Sequence, residues 1–162
     1  MRDLRQVLHA MLLIAFWAAT LSCTSTASVP RTAVQPDRSA DEAAIRVQIA
    51  ANEAAANRLD AVGVAATFDP EGDLIIGSRA RISGREAIQR TIETGYAETS
   101  PSEVRITVES IRFLTPNVAL AECLGLHRFS TGDIRDRATF VFVRRDESWL
   151  ISAVRVLPVE QQ

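Results

Sequence analysis

No lysine occurs anywhere in the 162 residues, so the positive charge rests on 18 arginines against 20 acidic side chains. A slightly acidic balance with no basic cluster argues against nucleic acid as a partner. Cysteine and histidine are almost as scarce, with Cys23 and His9 near the N-terminus and only Cys123 and His127 further along. That supply is too thin for a disulfide-stapled scaffold or a multi-histidine zinc or iron site. A glycine-rich nucleotide fingerprint, a flavin motif and an internal repeat are missing as well, so the sequence calls for no cofactor.

Long apolar runs are also rare, and the one that exists is informative. Arg2 and Arg5 precede an almost wholly apolar segment through Leu12, Ile14, Phe16 and Trp17, after which small and polar residues take over. The run is shorter than the ~20 residues of a membrane span and has no basic stop-transfer flank. The layout is that of a secretory signal over residues 1–27. Ser25 and Ala27 suit cleavage before Ser28, whereas Thr20-Leu21-Ser22-Cys23 resembles the lipidation box of bacterial lipoproteins. Both processing routes stay open. An exported protein is expected, periplasmic or extracellular, touching a membrane only through a lipid on Cys23. Residues 28–38 read as a flexible linker, and residues 39–158 as one domain whose core must suffice without a disulfide.

Within that domain, Ser39 and Glu42 have capping-box spacing ahead of Ile45, Ile49, Asn52, Ala56 and Leu59, predicting a helix over residues 40–58. Asp60 is placed to cap a short helix carrying Val64, Ala65 and Phe68, which Pro70 and Gly72 would stop. A short strand at residues 74–76 follows, then a third helix capped by Ser83 and Glu86 and burying Ile88, Ile92 and Tyr96. After Pro101 the period changes to two, and strands are expected over residues 104–114, 118–129, 137–145 and 149–157. Helices followed by a meander give an α+β domain with helices on one face of a curved antiparallel sheet.

Several markers then fall in a familiar order: Asp60, Phe68, the Asp69-Pro70-Glu71-Gly72-Asp73 turn, Gly84-Arg85-Glu86-Ala87-Ile88, Val118-Ala119 and Trp149-Leu150-Ile151. From Asp41 to Leu157 the chain resembles the nuclear transport factor 2-like superfamily, more narrowly its SnoaL-like and SgcJ/EcaC-type branches. The resemblance implies a cone-shaped fold with a pocket open at one end and, often, homodimerisation through the outer sheet surface. It also implies a comparison with ketosteroid isomerases. Their helix-borne tyrosine corresponds to Asn52, their base to about Ile76, and their second oxyanion donor to a position near Val141. Two apolar replacements out of three remove that proton shuttle.

Five polar residues remain as candidates. Asn52 interrupts an apolar helix face, where it either orients a ligand or satisfies a neighbour in the core. Tyr96 lies on the buried face of the third helix and His127 near the end of a strand, on the parity of Cys123 and Phe129. Alternation with Trp149 and Ile151 points Arg155 inward, to bind an anion or to pair with Glu122. Glu122 shares the parity of Leu120 and Leu124 and is read as a buried carboxylate. Trp149 is assigned to the core, and the Asp69–Asp73 segment to a solvated turn without calcium-loop spacing. The leading expectation is a pocket for a small apolar or carbonyl-containing ligand, contacted by Asn52, Tyr96, His127 and Arg155. An enzyme using His127 or Glu122 as acid or base, and a dimerisation or assembly module, are the alternatives.

Overall fold

The computed structural model describes residues 37–159. The expected leader, most of the linker and Cys23 lie outside the described residues. Helix α1 (Ser39–Asn57) turns Ile45, Ile49, Asn52 and Ala56 inward. In the same core Ala119 and Ala121 are fully buried, small side chains of the kind that let layers approach closely. The Ser39–Glu42 capping box does not form, because Ser39 is already the first helical residue and its amide is held by Asp37 Oδ1 at 2.9 Å.

Asp60 does cap α2 (Ala61–Ala66), its Oδ1 accepting from the Gly63 amide at 2.7 Å. Phe68, however, belongs to strand β1 (Phe68–Ile76), not to the helix. The Thr67 carbonyl accepts from the Ile151 amide at 3.0 Å, and Phe68 stands opposite Ile151. That pairing starts the strand, and Pro70 and Gly72 fall in the break of register between Phe68 and Asp73. Strand β2 (Ile82–Ser83) engages Ser83 with β1. Gly84 therefore caps α3 (Arg85–Glu98) in place of Ser83, at a φ of 87° that glycine adopts without strain.

The meander consists of β3 (Glu103–Thr115), β4 (Val118–Phe129), β5 (Gly132–Arg145) and β6 (Ser148–Pro158). Sheet order is β2-β1-β6-β5-β4-β3. Four of the five neighbouring pairs are antiparallel and β1 runs parallel to β6, so the curved sheet is mixed and not purely antiparallel as expected. The backbone of edge strand β3 is covered by α1: Asn57 accepts from the Val104 amide and donates to its carbonyl, both at 2.7 Å.

One irregularity redirects a candidate residue. Phe142 pairs with Ile151 but Val141 pairs with Ala153, which leaves Ser152 as an extra residue in β6. Such a bulge reverses the faces beyond it. Val154 is consequently buried, and Arg155 points away from the helices.

At one end of the domain the core is filled. Phe113 meets Trp149 edge to face with centroids 5.8 Å apart, and Trp149 Nε1 donates to Asp41 Oδ1 at 3.1 Å. Asp41 also accepts from Arg38 at 3.0 Å and Arg144 at 3.2 Å. The Trp149 hydrogen bond, followed by the two arginines, holds the Asp41 carboxyl below the usual carboxylate range. Trp149 is thus core, as its sequence position implies.

Candidate functional site

The opposite end is hollow. A cavity of about 320 Å³ runs between the helices and the sheet. Its inner wall is apolar and buried, with Val64, Phe68, Phe140 and Val154. Arg79, Thr99 and Gly95 mark its exposed rim. Asn52 is a polar residue of the inner wall, 9% exposed. Its Nδ2 donates to Thr67 Oγ1 at 2.9 Å, and that hydroxyl spends its own proton on the Val64 carbonyl at 2.7 Å. Thr67 can then only accept from Asn52, which fixes the amide and turns Oδ1 away from Thr67. One end of Asn52 is thus structural, and the residue also lines the cavity.

Tyr96 and His127 also line the cavity. Desolvation, with a smaller contribution from the charge of Asp60, raises the Tyr96 pKa, so its phenol remains protonated. His127 Nε2 lies 3.0 Å from Asp136 Oδ2. Asp136 is only 5% exposed and contributes to the same wall. The sequence reading did not include Asp136, because it began the strand at residue 137. A usable signal was present: Asp136, Ala138, Phe140 and Phe142 alternate on one face. The tight β4–β5 hairpin pairs Phe129 with Gly132 and hence Gly125 with Asp136.

That last pairing explains a glycine in the middle of a strand. A Cβ at Gly125 would sit 2.3 Å from Asp136 Oδ1 and 2.8 Å from its Cγ. The carboxylate lies in the space a side chain would fill.

Two sequence candidates leave the site. Glu122 is half-buried on the other face of β4, where it accepts from Thr139 Oγ1 at 2.8 Å. Even-numbered β4 residues face away from the cavity, so Glu122 and His127 cannot act together. Arg155, turned outward by the bulge, bonds to Asp73 and, at 2.8 Å, to the Val154 carbonyl. Its partner is Asp73, not Glu122. The Asp69–Asp73 segment is strand and not a solvated turn. Asp69 is 3% exposed and accepts from Arg145 at 2.7 Å and from the Glu71 amide at 3.1 Å. The Ile76 and Val141 positions carry no acid or base: Ile76 lines the cavity, and Val141 faces outward between buried Phe140 and Phe142.

Cys123 is buried in the core, where desolvation first and then Glu122 push its thiol up to about 12. It stays a thiol and is no nucleophile at neutral pH.

A curved sheet wrapped about helices with a pocket at one end defines the class of nuclear transport factor 2-like cones. Within it, the family profile described as a SnoaL-like domain matches residues 45–154, and the chain belongs to that family. Among solved structures, it is similar to a domain of unknown function with a cystatin-like fold from Nostoc punctiforme (TM-score 0.68, 22% identity, 76% of this chain and 80% of that one). It is also similar to a protein of unknown function, NTF-2 like, from Shewanella oneidensis (0.66, 16%, 72% and 98%). A ketosteroid isomerase-like protein from Erwinia carotovora atroseptica aligns comparably (0.65, 16%, 74% and 96%). At these identities the likeness is one of fold. No curated protein matches the sequence.

Proposed function

We infer that the domain holds a small, largely apolar molecule in the cone, with Asn52, Tyr96 and His127 as its polar contacts. The observation that carries this reading is the cavity itself. Its volume falls at the lower end of the ~300–1,000 Å³ range of small-molecule sites, and a few polar groups converge on an otherwise apolar wall. Arg155 and Glu122 drop out as contacts because they face the other side of the sheet.

An enzyme is the second reading, favoured by the His127–Asp136 pair at the wall. A buried carboxylate that fixes an imidazole is the arrangement an acid/base residue needs. The N-terminal signal pattern supports export, with Cys23 either discarded or lipidated. The outer sheet face, with half-buried Leu120 and Leu126 and exposed Leu124, is where a second copy would dock to form a homodimer.

Native mass spectrometry of the protein purified from its own host tests these readings together. It should detect a retained small molecule, a dimer and the state of residue 23. A ligand-free monomer that ejects nothing on activation would overturn the pocket and dimer readings.

A further inference from the structure

The polar atoms at the cavity are not evenly divided between donors and acceptors. His127 Nε2 lies 3.0 Å from Asp136 Oδ2, so the neutral tautomer suited to this carboxylate carries its proton on Nε2 and leaves the lone pair on Nδ1. Asp136 Oδ1 lies against the bare Cα of Gly125 and has no donor among the described residues. Asn52 spends one N–H of its amide on Thr67, which leaves Oδ1 free to accept and the second N–H free to donate. The Thr91 hydroxyl donates to the Ala87 carbonyl at 2.9 Å and retains only lone pairs. Clear donors stand at the exposed rim, on Arg79 and Thr99. Tyr96, half-buried, can both donate and accept.

The treatment of Asp136 is the second argument. The other buried or half-buried aspartates among the described residues are met by arginine: Asp41 by Arg38 and Arg144, Asp60 by Arg58, Asp69 by Arg145, Asp73 by Arg155. Asp136 is met by an imidazole alone among the described residues. A carboxylate kept in an apolar wall costs desolvation unless donors reach it. Leaving one oxygen open therefore favours a ligand that brings a donor of its own.

We propose that the cone selects a hydroxyl-bearing apolar molecule, an alcohol or phenol whose O–H is received by the His127–Asp136 pair. This rests on the pocket reading and narrows it. At the Asp136 carboxylate and the His127 lone pair, a carbonyl-bearing ligand would set acceptor against acceptor. His127 Nδ1 and Asp136 Oδ1 are the receiving atoms, and Gly125 is the residue whose missing side chain admits Asp136.

The test uses two aromatic probes of nearly equal shape, 2-naphthol and 2-methoxynaphthalene, titrated calorimetrically against the full processed protein at mildly alkaline pH. The phenol should bind at least about 10-fold more tightly, since leaving buried acceptors unmet costs roughly 1–3 kcal/mol. In the double variant His127→Phe with Asp136→Leu both receiving groups are gone, so that ratio should fall close to one while the ether still binds, a change in selectivity that simple loss of structure would not produce. Asp136→Asn, which places an amide at the wall, should narrow the ratio in the same direction. Imidazole nitrogen shifts of His127 should show a bare Nδ1 in the neutral ring. Equal binding of both probes by the unmodified protein, or a proton on Nδ1, overturns the proposal and leaves the pocket standing. Failure of both probes to bind overturns the pocket reading and the proposal with it.

Discussion

The two ends of the cone are built from the same helix and the same strands, yet one is packed and the other is hollow. At the packed end Ile45, Phe142 and Ile151 are completely buried and Trp149 is tied to α1 through Asp41. At the hollow end α1 presents Asn52 and Ala56, and β5 presents Ala138 and Asp136. Small or polar side chains replace large apolar ones over one or two turns of helix and two strand pairs. Stability is concentrated where the volume is filled, and recognition where it has been left open.

Substitutions at the packed end should break this contrast most severely. Phe142→Ala empties a fully buried ring site, with an expected loss of about 3–5 kcal/mol. Urea denaturation would measure it, and a loss below about 1 kcal/mol would mean that this end is looser than described. Acid should act on the same end through its carboxylates. Asp41 and Asp69 are held below their ordinary pKa by Trp149 and Arg145 respectively. Their contribution is complete above the unfolded carboxylate value of about 4 and is lost as pH falls through the lower folded values. Thermal melts should shift downward below about pH 4, and Arg145→Ala should flatten part of that shift.

The hollow end should respond in the opposite sense. Ala138→Leu extends an apolar side chain into the cavity and should change stability by no more than about 1 kcal/mol. Capture of the 2-naphthol probe should nevertheless fall by at least 10-fold, about 1.4 kcal/mol. Unaltered binding would place the ligand elsewhere. The smallest effect is expected at Cys123, whose buried thiol should resist alkylation in the native protein and react only after denaturation. Peptide mapping after iodoacetamide treatment would check this.

Much of the scaffold was legible because local signals agreed with the tertiary structure. The Asp60 cap and the turns after β3 and β5 read directly from type and spacing, whereas the parity of Leu120 and Leu124 pointed Glu122 inward and the structure buries Ala119, Ala121 and Cys123 instead. The departures share a cause in pairing that no local pattern announces. Phe68 is expected on the helix of Val64 and Ala65 that Pro70 and Gly72 would stop, and only the parallel partner β6 makes β1 begin there. Arg155 was placed inward by strict alternation, which a single extra residue at Ser152 cancels. Asp136 was missed because an aspartate among arginines resembles a turn until the hairpin register sets it opposite Gly125. Of the proposed contacts, Asn52, Tyr96 and His127 do line one cavity.

The absent side chain at Gly125 has a consequence for how such a wall can change over time. Positions 125 and 136 lie eleven apart in the chain but occupy one shared volume. A substitution that enlarges the first must displace the second, and a relative that gives up the aspartate is free to regain a side chain across the hairpin. The two positions are thus expected to vary as a unit, and a glycine at the first should foretell an acidic group at the second.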